Sequence, residues 1–173
     1  MSIPRRNSNP AHIILDDRTF FVTASISGKR NLLQSHRASG LFLENLFAYR
    51  SQRKFQLHEF VVMPDHFHVL IAVGAGMTIE RAVQYIKGGF AFRAGRELGL
   101  SAPLWQKGFS EIRLSELDTY EAQCHYIWQN PVRKHLVEQA ELYEYSSARL
   151  RSELDPRPQR LKPANFLPAL RHA

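Results

Sequence analysis

Residues 55–73 read FQLHEFVVMPDHFHVLIAV, a stretch rich in the aromatic and β-branched residues that favour strands. The Pro64-Asp65 pair interrupts this pattern, because proline lacks the N–H group that a strand residue donates to its neighbour. We therefore predict one strand over residues 55–63 and a second strand over residues 66–73. The rest of the predicted fold extends outward from these two strands.

Strands and helices alternate on both sides of this pair. The predicted elements are a strand (19–26), a helix (31–53), the strand pair, a helix N-capped by Thr78 and ending near 98, and a strand (105–114). This order predicts an α+β, ferredoxin-like βαββαβ fold, with an antiparallel sheet and two helices on one face. We expect a further, C-terminal helix to open at Ser115 and to end or kink at Pro131.

The composition is that of a basic globular protein. Of the 173 residues, 44% are hydrophobic and 23% are charged, which suits a single domain with its own core. We expect a basic arm over residues 1–17, a domain over 18–146 and a basic, proline-rich tail over 147–173. The single cysteine excludes an intramolecular disulfide, and the apolar runs are too short to span a membrane. We therefore expect a cytoplasmic protein without a membrane partner.

The charge of the chain favours a polyanionic partner. Lysine and arginine number 23 against 16 acidic residues, a formal net charge of +7, and each neutralised phosphate of a nucleic acid releases counterions. The candidate phosphate contacts are Lys87, Lys107, Arg113 and Arg133, with Arg5 and Arg6 in the N-terminal arm. The same charge also suits an ordinary solvated surface, so it does not decide the function alone.

A histidine pair lies in the predicted strand over residues 66–73. Side chains alternate across a strand, so His66 and His68 share one face and the aliphatic residues share the other. The aliphatic face is expected to pack on the two helices, which leaves the imidazoles on the opposite face. Two neighbouring imidazoles can bind one divalent cation if a third ligand completes the site. The alternative is a pair of half-exposed histidines without a function.

The last predicted helix carries two tyrosines with different surroundings. One apolar stripe is formed by Leu117, Tyr120, Cys124, Ile127 and Trp128. Tyr126 lies roughly 150° from the centre of that stripe, so Tyr120 is the structural tyrosine and Tyr126 is not needed for the core. Asn130 is one turn beyond Tyr126 and shares its face. Its amide oxygen could join two imidazoles around a cation; alternatively, Tyr126 is a surface aromatic and Asn130 only begins a turn at Pro131.

Four segments carry a family resemblance. They are residues 60–70 (FVVMPDHFHVL), 86–89 (IKGG), 105–109 (WQKGF) and 126–133 (YIWQNPVR). In this order, the histidine pair and the Tyr-x-x-x-Asn-Pro motif resemble the REP-associated tyrosine transposases, which belong to the IS200-like superfamily of HUH, single-tyrosine transposases. Lys134 and His135 depart from the pattern, because the family usually has a small residue and then glycine there.

The resemblance implies a function and a set of site residues. It implies a divalent cation, Mg²⁺ or Mn²⁺, held by His66, His68 and Asn130, with Tyr126 as the nucleophile. The expected enzyme is a transposase-like strand transferase and endonuclease. It would cleave and rejoin single-stranded DNA at hairpin-associated sites through a 5′-phosphotyrosine intermediate. The REP-associated type favours a monomer over a homodimer.

Two other functions are compatible with the residues alone. A non-catalytic module that binds structured DNA or RNA would explain the charge, and its binding would survive a chelator. A zinc-dependent hydrolase with a water nucleophile would use the histidines, and it would need a third strong ligand such as His58 or Asp65.

Overall fold

The computed structural model describes residues 17–163. The chain forms four strands, β1 (Arg18–Ser25), β2 (Gln56–Val62), β3 (His66–Val73) and β4 (Ser110–Leu114). It also forms three α-helices, α1 (His36–Ser51), α2 (Ile79–Leu98) and α3 (Leu117–Arg133). Arg5 and Arg6, proposed above as DNA contacts, lie outside the described residues, as do residues 164–173 of the predicted tail.

The four strands form one antiparallel sheet in the order β2-β3-β1-β4. This order, with one helix after β1 and another after β3, confirms the predicted ferredoxin-like α+β fold. Strands β1 and β3 are central, and their register places Thr23 opposite His68 and Ser25 opposite His66. The histidine pair therefore lies at the end of the two central strands.

The two faces of the sheet bury separate apolar clusters. On the first face, α1 and α2 pack on the strands, and alternate residues of β3 face them: Phe67, Val69, Ile71 and Val73. On the second face, α3 packs on the sheet through a smaller cluster that includes Phe21, Leu70 and Ile127. The histidines point to this second face, as the alternation predicts, and α3 covers part of it.

Two predicted elements are clearly longer than the observed ones. The helix predicted over residues 31–53 begins only at His36, because the Ser35 hydroxyl caps it by accepting from the Ala38 N–H at 3.1 Å. The strand predicted over 105–114 is regular only from Ser110. Trp105 instead makes a single bridge to Ile26, at the end of β1. Thr78 caps α2 as predicted.

The last helix differs from its prediction at both ends. It begins at Leu117 rather than at Ser115, with Glu116 in the N-cap position and no capping side chain. Pro131 lies inside the helix, which continues to Arg133. Proline is tolerated here because it removes only one backbone bond in the last turn, and the Lys134 N–H still donates to the Asn130 carbonyl at 3.1 Å.

The chain after α3 covers the β2 edge of the sheet. The Val62 N–H donates to the Tyr145 carbonyl at 2.9 Å, and the Asp155 N–H donates to the Leu57 carbonyl at 2.7 Å. Residues 147–155 therefore lie against the domain, and the domain boundary proposed there stays a prediction. Covering an edge strand hides hydrogen-bonding groups that would otherwise pair with other chains. Over residues 17–163, no helix is both long and apolar enough to cross a lipid bilayer.

Candidate active site

The two histidine rings lie side by side on the second face of the sheet. The ring centroids of His66 and His68 are 4.8 Å apart, with the ring planes at 76°. His68 is only 5% exposed, and the His66 side chain is 14% exposed. Strand β3 fixes this arrangement, because residues two apart on a strand project from the same face.

Each ring is oriented by a hydrogen bond at Nδ1. Asp65 Oδ1 lies 2.6 Å from His66 Nδ1, and Thr23 Oγ1 lies 2.7 Å from His68 Nδ1. When Nδ1 carries the proton, it donates to these oxygens and Nε2 keeps a lone pair. Such partners orient imidazoles that bind metal ions. Thr23 was missed by sequence reasoning, because only the strand register places it opposite His68.

Burial keeps both imidazoles neutral at pH 7. Burial, together with the neighbouring His66 and the Arg133 guanidinium, lowers the pKa of His68 to about 3. Burial also lowers the pKa of His66, although the Asp65 carboxylate opposes the change. The pKa of Asp65 is itself lowered: burial is the largest single effect and raises it, but the hydrogen bond and charge of His66, together with the Lys29 ammonium and a backbone hydrogen bond, outweigh burial. The neutral imidazole is the form that binds a metal ion.

Tyr126 lies against this pair and not out in solvent. Its ring centroid is 5.3 Å from that of His68 and 5.9 Å from that of Phe21. The Arg133 guanidinium lies over the Tyr126 ring, 4.5 Å from its centroid. Phe21 in turn stacks on His68 with centroids 5.2 Å apart. Phe21 therefore forms an apolar wall that contacts both the phenol and one imidazole.

Tyr126 packs closer to the core than its place opposite the apolar stripe predicts. Tyr120 is buried, as expected of the structural tyrosine, but the buried face of α3 also includes Asn130 and Pro131. The packed arc is therefore wider than the apolar stripe and is displaced toward Tyr126. As a result, Tyr126 is half-buried against Phe21 and partly fills the second cluster.

Asn130 is buried on the sheet side of α3, one turn from Tyr126. Its Oδ1 atom and the Nε2 atom of His68 are both buried, and neither has a hydrogen-bond partner within residues 17–163. Buried polar atoms without partners are uncommon, and each one requires an explanation. Imidazole nitrogen and amide oxygen are both donors for divalent cations. The side chains of His66, His68 and Asn130 therefore fit a Mg²⁺ or Mn²⁺ ion.

A zinc-dependent hydrolase would need His58 or Asp65 as a third ligand beside the histidine pair, and both side chains have other contacts. The Asp65 carboxylate is bonded to His66, and the His58 ring packs against Tyr120 at 6.3 Å between centroids. In the described part of the chain, no group of three or more His, Cys, Asp or Glu side chains is placed to hold a metal ion. The third ligand of that alternative is not found among these residues.

Lys87 holds a loop beside the site. Its Nζ donates to the Gln106 carbonyl at 3.1 Å and to the Gly108 carbonyl at 2.7 Å, and burial lowers its pKa. The Trp105 indole N–H donates back to the Lys87 carbonyl at 2.9 Å. Lys107 is exposed at the tip of the same loop. Lys87 thus shapes the loop that presents Lys107, and a DNA contact for either residue stays a prediction.

Arg113 and Arg133 lie at different ends of the sheet. Arg133 lies over Tyr126, whereas Arg113 is exposed on β4 opposite Phe20. Arg113 lines a cleft of about 690 Å³ whose other basic residues are Arg18, Arg157, Arg160 and Lys162. Strand β1 starts at this cleft and ends beside His66, so the cleft and the histidine pair are separated by the length of the strand.

The fold and this site define a candidate DNA-processing enzyme of the transposase class. The family model described as "Transposase IS200 like" matches residues 22–130, well over half of the chain. The chain therefore belongs to the IS200-like transposase family. Transposases of this family are DNA-cleaving enzymes that generally depend on divalent metal ions.

Two solved structures are similar to this chain. A REP-associated tyrosine transposase bound to a REP hairpin has a TM-score of 0.67 and 23% identity, over 90% of this chain and 89% of that one. A candidate transposase from Deinococcus radiodurans R1 has a TM-score of 0.51 and 21% identity, over 73% of this chain and 95% of that one. No curated protein gives a significant match. At these identities the two structures support the fold.

Proposed function

We propose that this chain is a metal-dependent, tyrosine-nucleophile enzyme that cleaves and rejoins single-stranded DNA at hairpin-associated sites. One observation carries the proposal. Within a single chain, the Tyr126 ring lies 5.3 Å from the His68 ring, beside the unpartnered buried atoms His68 Nε2 and Asn130 Oδ1. A nucleophile placed next to two ligand atoms is the arrangement that metal-assisted phosphoryl transfer requires.

Tyr126 is the proposed nucleophile. Its phenol oxygen attacks a backbone phosphorus, the bond from phosphorus to the 3′-oxygen breaks, and a 5′-phosphotyrosine forms. The phenol loses a proton and the leaving 3′-oxygen gains one, so no oxidant or reductant is needed. The covalent link retains the energy of the phosphodiester, and rejoining therefore requires no nucleotide cofactor. A cation bound by His66, His68 and Asn130 would polarise the phosphate and stabilise charge on the leaving oxygen.

The surrounding side chains orient these groups. Thr23 and Asp65 fix the two imidazoles with Nε2 available, and Phe21 limits the movement of the phenol. Arg133, exposed above the Tyr126 ring, is placed to meet a phosphate that approaches the phenol oxygen. The two nitrogen ligands favour Mn²⁺ over Mg²⁺.

The hairpin substrate and the monomeric state are proposals supported by separate observations. A similar fold has been solved with a REP hairpin bound, and the net charge of +7 suits a nucleic acid. Tyr126 and the histidine pair meet within one chain, so a monomer contains the complete set of groups.

A denaturing gel tests the chemistry. The protein is incubated with Mn²⁺ and a single-stranded DNA hairpin that carries a short unpaired extension, and we expect a covalent protein–DNA adduct. The adduct should disappear on Tyr126→Phe and with a chelator, but it should persist on Tyr85→Phe, which removes a hydroxyl from α2. Cleavage that persists in Tyr126→Phe would refute the nucleophile. DNA binding without any adduct in the wild-type protein would favour the binding module.

A further inference from the structure

A buried carboxylate connects three parts of the molecule. Glu59 on β2 is only 5% exposed. The Trp128 indole N–H, from α3, donates to Glu59 Oε2 at 2.8 Å. The Ser147 hydroxyl, from the chain after α3, donates to the same oxygen. Ser147 also accepts from the Phe60 N–H at 3.0 Å, which fixes its position along β2.

The two residues of the Glu59–Trp128 hydrogen bond both lie near site residues. Glu59 is near them in strand register, and Trp128 is near them in sequence. Glu59 lies opposite Leu70 on β3, the strand that carries the histidine pair. Trp128 lies two residues after Tyr126 and two residues before Asn130. The bond therefore joins the sheet near the histidines to the part of α3 that presents the phenol and the amide.

Most of the other contact between α3 and the sheet is apolar. Residues such as Tyr120, Cys124 and Ile127 pack on Phe21 and Leu70. Apolar packing is non-directional, so similar contacts would persist if the helix rotated or slid by a fraction of a turn. A buried hydrogen bond with one geometry selects one position, which is the best-attested role of buried polar groups.

We propose that the Glu59–Trp128 hydrogen bond is a positioning device that sets α3, and with it Tyr126 and Asn130, over the histidine strand. The device rests on the proposed function above, since it positions the groups named there. Ser147 extends it to the C-terminal chain, and the Arg151 guanidinium covers the Trp128 ring at 4.7 Å from its centroid. The segment after α3 thus supports the site.

The energetic cost of Glu59 supports this role. Burial raises the pKa of Glu59, although its hydrogen bonds with Ser147 and Trp128 lower it. A buried carboxylate is often less stabilising than an apolar side chain of similar size, so stability alone does not explain its presence. A glutamine would keep one side-chain oxygen that can accept from both the Trp128 indole and the Ser147 hydroxyl, which makes Glu59→Gln the conservative variant.

The test uses the full chain and compares variants that keep or remove the bond. Trp128→Phe keeps an aromatic ring but loses the donor, Glu59→Leu loses the acceptor, and Glu59→Gln keeps it. Val83→Ala, in the buried core on the opposite face of the sheet, is the control for a general loss of thermal stability. Mn²⁺ affinity is measured by calorimetric titration without DNA. The rate of adduct formation is measured in a single turnover at saturating hairpin DNA.

We expect Trp128→Phe and Glu59→Leu to weaken Mn²⁺ binding about 10-fold, as found for partners that orient metal ligands. Adduct formation should slow by about 10- to 100-fold, because a small misplacement of the nucleophile is enough. Glu59→Gln and Val83→Ala should stay near the wild-type values in both assays. The double variant of Glu59→Leu and Trp128→Phe should be no worse than either single variant, because both remove the same bond.

The experiments distinguish a wrong positioning role for the Glu59–Trp128 bond from a wrong proposed function. If the two bond-removing variants behave like Val83→Ala in Mn²⁺ affinity and adduct rate, the positioning role is overturned even though the wild-type enzyme forms an adduct. If their losses add in the double variant, it is overturned as well. A wild-type protein that forms no adduct, but whose Mn²⁺ affinity still falls in both variants, would refute the proposed chemistry and support the positioning device.

Discussion

Thr23→Val isolates the contribution of one hydrogen bond to the proposed metal centre. Thr23 lies opposite His68 in the strand register, and its hydroxyl is 2.7 Å from His68 Nδ1. Valine has nearly the same shape and suits a strand, so the substitution mainly removes the hydroxyl. Without it, the imidazole loses its partner at Nδ1 and is free to move its proton to Nε2. The nitrogen that we assign to the cation would then carry hydrogen in place of a lone pair.

Two free-energy changes, one in protein stability and one in metal binding, follow from the geometry of this hydrogen bond. His68 is 5% exposed, so its Nδ1 atom would be left buried without a partner, at a cost of about 1–3 kcal/mol in the free energy of unfolding. The loss of a partner that orients a metal ligand weakens metal binding by about 10- to 100-fold, or about 1.4–2.7 kcal/mol. The two effects are of similar size, but they appear in different measurements.

Both are measured on the same preparations. Chemical denaturation in the presence of a chelator gives the unfolding free energy, and calorimetric titration with Mn²⁺ gives the affinity. Thr23→Ser keeps the hydroxyl and is the matched control, so it should retain most of the affinity. If Thr23→Val binds Mn²⁺ as tightly as the wild-type protein, the hydrogen bond does not prepare His68 for a metal ion, and the assignment of His68 as a ligand loses its main physical support.

Three further predictions concern other parts of the chain. The buried Glu59 has a raised pKa, so its contribution to stability is present below the unfolded-state pKa and is lost as the pH rises through the folded-state pKa. Glu59→Gln should therefore gain stability relative to the wild-type protein as the pH rises above about 4.5, the ordinary pKa of the carboxyl, and a constant difference in denaturation midpoint would contradict this. Lys87→Met removes two hydrogen bonds to the loop over residues 106–108. Amide hydrogen exchange in this loop should accelerate, and the free energy of unfolding should fall by about 1–2 kcal/mol. Asp155→Ala removes the two hydrogen bonds from Arg50 and the hydrogen bond from the Leu57 N–H. It should lower the free energy of unfolding by about 2 kcal/mol and make residues 150–163 more sensitive to protease. Unchanged proteolysis would show that this contact does not hold the segment.

Local periodicity was sufficient to predict the fold and one half of the site. The alternation in β3 placed His66 and His68 on the face opposite the two-helix layer, because a strand allows only two directions for a side chain. The spacing of Tyr126 and Asn130 placed them on neighbouring turns of one helix face. These are properties of single elements, so a single sequence contains them.

Contacts between distant elements were not predictable in the same way. The partial burial of Tyr126 was not predicted, because the apolar stripe indicates which residues avoid water, but not how the helix is rotated on a second sheet face. Thr23 became visible as a partner of His68 only through the register of β1 with β3. The bond between Glu59 and Trp128 likewise depends on how α3 crosses the sheet. Trp128 lies in the 126–133 segment, but that segment does not indicate its partner on β2.

Tyr126, the proposed nucleophile, lies beside the histidine pair of the same polypeptide. This arrangement has a consequence for mixtures of wild-type protein and an inactive variant. When an enzyme shares its catalytic groups between subunits, an inactive copy also impairs the active subunit that it pairs with. The loss of activity in a mixture is then larger than the fraction of inactive chains. Here each molecule should act on its own. Adding Tyr126→Phe protein to the wild-type enzyme should therefore dilute the activity in simple proportion, and a single molecule in a cell should be competent without a second one.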